Sequence, residues 1–436
     1  MRRLLSDTAF TGGSHFLIST LQVCLQIFVV RTTVPASFGE YTAALAIETI
    51  IESLFIARSG ELALQCVGKH WVNGNFPLAH ANAVRMIRID WILNWSFYAI
   101  FSVLIYILSN ILHVNPYYLV GLALMIPAQI GYGTYKSIFI SAHKLKEQAI
   151  FESLFMISQL LLGVLGVYFY AIPGLIGALV LSASAKTIVA REITKRWWPK
   201  DVSDNLAFSE IQNTIRQESW WSFGFHSVVR NAFASGASQV DILILNAVQG
   251  AESVAIYKVA KTLSSLPVKA AGPLWSSLRP RIMRAWHYGD RVQMKRLVVL
   301  PSTLMFSVLL LSSPFVWFFA DDLIILLYGK HYVQATIPFI ILLTGSWIFS
   351  AMTAWFVFWV IIGEARMSGT IVYGILFAMI LCTGIMWGGR SAQDMSLVVA
   401  ASMLAASMIC WLIFFRALKN LHRSTLFSNN PDRLDT

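Results

Sequence analysis

The chain is poor in charge. Of its 436 residues, 33 are Lys or Arg and 22 are Asp or Glu, together 13%, where a soluble domain carries roughly 25%. Hydrophobic residues reach 57%, above the roughly 45–50% of soluble chains. That imbalance excludes a water-soluble globular protein, because a core of this size cannot hide so much apolar surface. Cysteine is scarce too. Cys24, Cys66, Cys382 and Cys410 lie in or at the ends of apolar runs without CxxC spacing, which argues against a disulfide framework and against a zinc site. There is no GxSxG, no HExxH and no Walker sequence. Gly12-Gly13 and Gly388-Gly389 read as helix-end and loop glycines rather than phosphate cradles. The expectation is therefore no enzyme, no cofactor and no metal site. Acidic residues are also in deficit, giving a formal charge of +11. The placement of the basic residues explains that excess better than a nucleic-acid partner does.

What the chain does have is a series of apolar runs, each near the roughly 20 residues that cross a bilayer. Twelve are expected, at about 10–31, 38–66, 86–110, 117–141, 148–170, 173–194, 219–246, 252–281, 297–319, 333–362, 368–388 and 394–416. Basic residues fall on alternate sides of these runs. One side carries Arg2 and Arg3, then Lys69, Arg85 and Arg88, then Lys144 and Lys146, then Arg191, Lys195, Arg196 and Lys200. The same side later carries Arg279 to Arg296 and finally Arg416, Lys419 and Arg423. The other side has only Arg31, Lys330 and Arg390. Basic residues are retained in the cytoplasm, so both termini are expected inside a bacterial inner membrane, with anionic membrane lipids as neighbours of the basic loops. The basic start and first apolar run look like a signal peptide but lack a small-residue cleavage site, so the run is expected to stay as the first helix.

The longest polar interval, about 196–218, separates six runs from six and has Trp197-Trp198 and Trp220-Trp221 at its edges, as suits a membrane interface. The division expected is residues 1–205 for an N-terminal six-helix lobe and 206–436 for a C-terminal one. A faint repeat supports it. FGEYTAALAIE and VAIYKVAKTLS align Tyr41 with Tyr257, and the turns His70 to Asn75 and Trp286 to Asp290 share an aromatic–Gly–polar pattern. Halves of matching orientation suggest a parallel repeat.

The apolar runs also contain charges. They are Glu48, Glu52, Arg58, Lys136, Glu152, Lys186, Arg230, Asp241, Lys258, Lys261 and Lys269. Placing a charge at the centre of a bilayer helix costs roughly 2.5–3.5 kcal/mol on insertion scales. Most of these groups must therefore face a partner or a water-filled cavity. Lys136 and Glu152, at similar depth on adjacent runs, are expected to form a structural ion pair. Arg58 and Glu61 lie near the interface, where they can snorkel. Glu48 and Glu52 are helical neighbours and read either as a buried neutral pair or as a pair that titrates during turnover. Lys258, Lys261 and Lys269 share one helical stripe, as do His226, Arg230 and Asp241. At about 1.5 Å rise per residue, Arg230 and Glu48 fall near the midplane, Lys258 and Lys261 in the outer half, and Lys269 and Lys186 in the inner half. Midplane cations in excess of nearby acids imply an anionic ligand.

The stretch Gln239 to Asp290 resembles the polysaccharide-exporter branch of the multidrug/oligosaccharidyl-lipid/polysaccharide exporter superfamily. The resemblance rests on Asp241, Ala255-Ile256-Tyr257, Pro280-Arg281 and Gly289-Asp290. Leu327 to Tyr332 and Gly363 to Arg366 are similar to the same family. Ala255 stands where the family usually has Gly. The resemblance implies an all-α polytopic membrane protein with twelve transmembrane helices in two six-helix lobes around a central cavity. It implies a flippase, akin to O-antigen and exopolysaccharide repeat-unit exporters, that moves undecaprenyl-pyrophosphate-linked oligosaccharides outward for surface polysaccharide synthesis. A polysaccharide polymerase is then an expected partner. Arg230, Lys258, Lys261, Lys269 and Lys186 are the candidates for binding the diphosphate, and Glu48, Glu52 and Asp241 those for coupling. The alternative is a multidrug or cation antiporter of the same superfamily, but those carry an acid in the first run, where this chain has none between His15 and Val30.

Overall fold

A computed structural model of the chain describes residues 2–112, 114–198, 220–266, 268–269, 278, 282, 291–352 and 365–428. The segment 199–218 and the boundary at 205 lie outside the described residues, as do Pro280-Arg281, the 283–290 turn and Gly363-Glu364. Among the described residues the chain is helical throughout, with no strand.

The N-terminal half comprises α1 (Arg2–Thr32), α2 (Pro35–Ala63), the single turn α3 (Lys69–Val72), α4 (Phe76–Leu112), α5 (Pro116–Ala123), α6 (Met125–Ala128), α7 (Tyr132–Ser141) and α8 (Leu145–Lys195). The C-terminal half comprises α9 (Trp220–Gln249), α10 (Ala251–Ser264), α11 (Arg291–Tyr328), α12 (Thr336–Met352), α13 (Ala365–Met386) and α14 (Ala392–Ser428). Among the described residues, six helical stretches are by length and composition apolar enough to cross a membrane: Gly12–Thr32, Phe76–Leu112, Leu145–Lys195, Lys295–Tyr328, Lys330–Ala351 and Ala392–Ile409. Three of the others, α2, α9 and α10, hold the embedded charges Glu48, Glu52, Arg230, Asp241, Lys258 and Lys261.

The differences from the sequence reading have local causes. The run expected at 117–141 is broken into α5, α6 and α7, because Pro127 lacks an amide hydrogen and Gly131 takes a positive φ of 80°. Its start is capped by Asn115, whose side chain accepts from the Tyr117 amide at 3.0 Å, with Pro116 in the first turn. The two runs expected at 148–170 and 173–194 are the two limbs of α8, which reverses at Ala171 (φ 51°, ψ −135°). The limbs pack so closely that a Cβ on Gly166 would collide with the carbonyl of Gly174. α4 begins ten residues before the expected 86, because its first turns are not lipid-facing: Leu78, Ala79, Asn82 and Ala83 are buried in the protein. Pro301 and Pro314 are both accommodated within α11.

α1 packs along α8, and α9 packs along α13. α2 packs against both α9 and α10, joining the two halves. The core is continuous across that seam and includes Leu25, Phe38, Tyr41, Ile47, Ile242, Tyr257 and Leu263. Tyr41 and Tyr257, aligned by the faint repeat, therefore stand on packed neighbours.

Candidate functional site

Four helices of the N-terminal half, α1, α2, α6 (through Met125) and α8, and α10 of the C-terminal half enclose a cavity of about 320 Å³. α1 contributes Gln22 and Gln26, one helical turn apart. α2 contributes Tyr41, Thr42 and Leu45. The two limbs of α8 contribute Met156 and Gln159, then Leu175 and Leu179. α10 supplies Lys258 and Thr262, and Lys269 follows further along. The wall thus carries two ammonium groups, and among the described residues it has no carboxylate. Gln26 Nε2 and Thr42 Oγ1 are buried without a hydrogen-bond partner among the described residues, so amide and hydroxyl donors add to the two cations at the wall.

The embedded charges form two further groups. In the C-terminal half, Asp241 is fully buried. It accepts from the Tyr257 hydroxyl at 2.5 Å, from Lys261 Nζ at 2.5 Å and from the Ile242 amide at 2.9 Å. Lys261 also donates to the Ser238 carbonyl at 2.6 Å. This cluster closes on itself: the carboxylate has three donors, and the ammonium has a carboxylate and a carbonyl. Lys258, one turn earlier on α10, points instead to the cavity.

In the N-terminal half, Lys136 lies 3.0 Å from Glu152, forming the expected ion pair. Tyr132 and Gln148 each donate to the same Glu152 oxygen at 3.2 Å. Lys186 Nζ sits over the Tyr132 ring, 4.3 Å from its centroid, and lies in the fields of Glu152 and Glu52. Glu52 in turn lies within reach of Glu48 and Gln129. Glu48 is 2% exposed, and its Oε1 has no hydrogen-bond partner among the described residues.

This network and the cavity share helix faces. Tyr41, Thr42, Leu45, Glu48 and Glu52 recur at helical spacing along α2. Gln159, Met156 and Glu152 do so along the first limb of α8, and Leu175, Leu179 and Lys186 along the second. All three stripes run from the cavity toward the end of the bundle that carries Lys69, Lys144 and Lys195. The charged network is thus a continuation of the cavity floor.

The structure therefore separates the sequence candidates. Lys258 and Lys269 both line the cavity, Lys261 joins Asp241, and Lys186 sits on Tyr132 in the fields of Glu152 and Glu52. Arg230 is half-buried on α9 and donates to Asn231 Oδ1 at 3.3–3.4 Å, off the cavity wall. The side chains of Arg58 and His226 lie outside the described residues. Sequence reasoning missed Gln22, Gln26, Thr42, Gln129, Tyr132, Gln159 and Thr262. The i,i+4 amides of Gln22 and Gln26 inside an apolar run were a readable signal. Among the described residues no cluster of three or more His, Cys, Asp or Glu is arranged to hold a metal ion.

No family model matches the chain, and no curated protein matches it. Solved structures do. An aspartate-to-asparagine variant of the Vibrio cholerae MATE transporter VcmN is 15% identical, with a TM-score of 0.66 over 96% of this chain and 97% of that one. The chain has the fold of MATE transporters. An inward-facing multidrug resistance MATE family transporter of the MOP superfamily is 14% identical, with a TM-score of 0.68 over 93% of this chain and 96% of its own. A MOP superfamily transporter from Pyrococcus furiosus, described by the reverse polarity of its binding pocket, is 13% identical, with a TM-score of 0.67 over 95% and 96%. The MATE fold extends over almost all of each chain, so this is a multi-pass membrane architecture from end to end.

Proposed function

We propose that the chain is a transporter and not an enzyme, and that it carries an amphiphile with an anionic diphosphate head. In this reading it flips undecaprenyl-pyrophosphate-linked oligosaccharides across the inner membrane for surface polysaccharide synthesis. It does so through twelve crossings in two lobes, residues 1–205 and 206–436, with both termini cytoplasmic. The observation that carries the reading is the pair Lys258 and Lys269 at the wall of a cavity between the halves, without a carboxylate among its lining residues. A diphosphate leaving water loses its hydration, and ammonium and amide donors replace it with charge-assisted hydrogen bonds. Gln22, Gln26, Gln159 and Thr262 are suited to sugar hydroxyls at the same wall. Lys261, Arg230 and Lys186 then act from outside the wall, Lys261 by holding Asp241.

The polarity weighs against the antiporter reading, since a cationic drug is poorly received by two lysines. The Pyrococcus furiosus neighbour is likewise described by reverse pocket polarity suggesting a different function. The test is Lys258→Glu in a flippase-null strain, scored for surface polysaccharide and for membrane abundance. Loss of glycan at normal abundance, with partial activity in Lys258→Arg, supports the reading. Full glycan in both Lys258→Glu and Lys269→Glu removes the diphosphate from this cavity.

A further inference from the structure

We propose that a second cavity, remote from the central one, binds the phosphate of an anionic phospholipid headgroup. It lies in the N-terminal half between α4, α7 and the last turns of α8, with a volume of about 510 Å³. Arg88, Arg191 and Lys195 line it, together with Tyr135, Trp91 and Trp198. Among the described residues, none of the three cations forms an ion pair. Elsewhere the chain does the opposite, setting Lys136 against Glu152 and Lys261 against Asp241. Asp90 and Glu192 act on Tyr135 from nearby, yet neither lines the cavity.

The level of the cavity matches a membrane interface. Beyond Trp91, α4 runs apolar to Leu112, close to the roughly 20 residues of one bilayer crossing. Arg191 and Lys195 follow the apolar run of the second limb of α8. Trp91 and Ile188 both line the cavity and are 57% and 61% exposed, so its wall continues into the lipid-facing surface. An acyl chain can lie on Ile188 and Trp91 while the phosphate sits among the three cations. Guanidinium groups match phosphate oxygens two at a time, and the cytoplasmic leaflet is rich in anionic lipid. The positive-inside rule accounts for cations at this level. It does not account for three of them lining one cavity without an ion-pair partner among the described residues. Lys144, also on this side, is paired with Glu147 at the exposed surface.

The test uses the full-length protein in neutral detergent, with native mass spectrometry after adding phosphatidylglycerol or phosphatidylcholine. Competition by inorganic phosphate and by a short isoprenyl diphosphate separates the sources of the phosphate. Phosphatidylglycerol is expected to bind about tenfold tighter than phosphatidylcholine or better. The combined Arg88→Gln, Arg191→Gln and Lys195→Gln variant should bind both equally, while Lys144→Gln with Lys146→Gln keeps the preference. Thermal melting monitors the fold. Should the triple variant not fold, Arg88→Lys with Arg191→Lys keeps the charge, loses the two-point geometry and is expected to lose several-fold of the preference. Equal binding of the two lipids by the native protein overturns the proposal, as does a preference surviving in both variants. Displacement by inorganic phosphate at equal concentration makes it a free-phosphate site, and tighter binding of the isoprenyl diphosphate makes it a substrate-waiting site. Either result overturns the lipid assignment. Because the readout is lipid binding, it stands or falls independently of the transport reading.

Discussion

The guanidinium of Arg31, at the end of α1, donates to the carbonyl of Leu327, in the last turn of α11, at 2.9 Å. It also donates to the Leu326 carbonyl. The mirror contact runs the other way between the halves, where the Asn246 amide donates to Leu112, the last residue of α4. Both contacts satisfy carbonyls left open at a helix C-terminus, and both lie at the end of the protein expected outside. Between them, Gly39 of α2 meets the Ala251 backbone of α10 so closely that a Cβ would overlap the Ala251 carbonyl. The two halves are thus closed together at that end.

Substitutions at this seam should open it. Gly39→Val cannot make the approach without separating α2 from α10, and Arg31→Ala removes two donors. Each variant is expected to raise the accessibility of Tyr41, once replaced by cysteine, to a membrane-impermeant maleimide added from outside. For Arg31→Ala, an exposed contact worth up to about 1 kcal/mol shifts the population about fivefold. Gly39→Val should do more. Unchanged labelling in both variants means the seam is not a gate.

The same topology fixes where reporters report. Fusions after Asn115 and Ala251 should read as outside, and those after Asn75 and Lys146 as inside. Two reversed signals would remove both the assignment of the seam to the outer face and the cytoplasmic level of the phosphate cavity.

Asp241 and Lys261 should behave as one unit. Asp241→Asn leaves Lys261 without its carboxylate, and Lys261→Met leaves a fully buried carboxylate short of its cation. Breaking such a pair from one side costs about 3–5 kcal/mol. The double variant is expected to recover most of that loss. Tyr257→Phe removes one donor to Asp241 and should cost less, about 1–3 kcal/mol. Thermal melting in detergent reads all four. Additive single-variant losses, with no recovery in the double, would separate the two residues. Loss of glycan in a Lys261 variant then follows from misfolding, where loss in a Lys258 variant at normal abundance points to substrate.

The architecture was legible because lipid imposes it. Bilayer-length runs and alternating basic residues are constraints that each segment carries by itself, and so is the embedding of Lys136 and Glu152 at equal depth. The interruption at Pro127 and Gly131 and the early start of α4 at Phe76 were not legible, since hydropathy cannot tell a protein-facing polar turn from a loop. The site was legible only in part. Stripe spacing correctly placed Lys258 and Lys261 on one helix, but they are three residues apart and diverge: one faces the cavity and the other Asp241. Whether a cation meets a ligand or a neighbouring carboxylate depends on the packing of α9 against α10, which no single-helix period reports. The uncharged wall residues Gln22, Gln26 and Gln159 were passed over because amides are cheap enough in a helix not to stand out.

Glu48 and Glu52 lie where the cavity floor meets the network of Lys186, Tyr132 and Glu152. Glu48 is buried with an oxygen that has no hydrogen-bond partner among the described residues, while Glu52 is within reach of Gln129 and in the field of Lys186. A structural role requires only that the pair be satisfied in one protonation state, and Gln is nearly isosteric with the protonated acid. Under that role Glu48→Gln and Glu52→Gln fold, transport and keep the native pH profile. If instead the pair exchanges protons with the cavity, each Gln variant still folds but its transport rate loses its dependence on pH. Transport measured in proteoliposomes with a fluorescent isoprenyl diphosphate at fixed internal pH separates the two. The expected outcome is a flattened profile in Glu52→Gln, because Lys186 ties its charge to Glu152, and through Glu152 to Lys136. Lys186→Met should flatten the profile in the same way. A native profile in all three variants would leave Glu48, Glu52 and Lys186 as structure alone, with the coupling ion acting elsewhere.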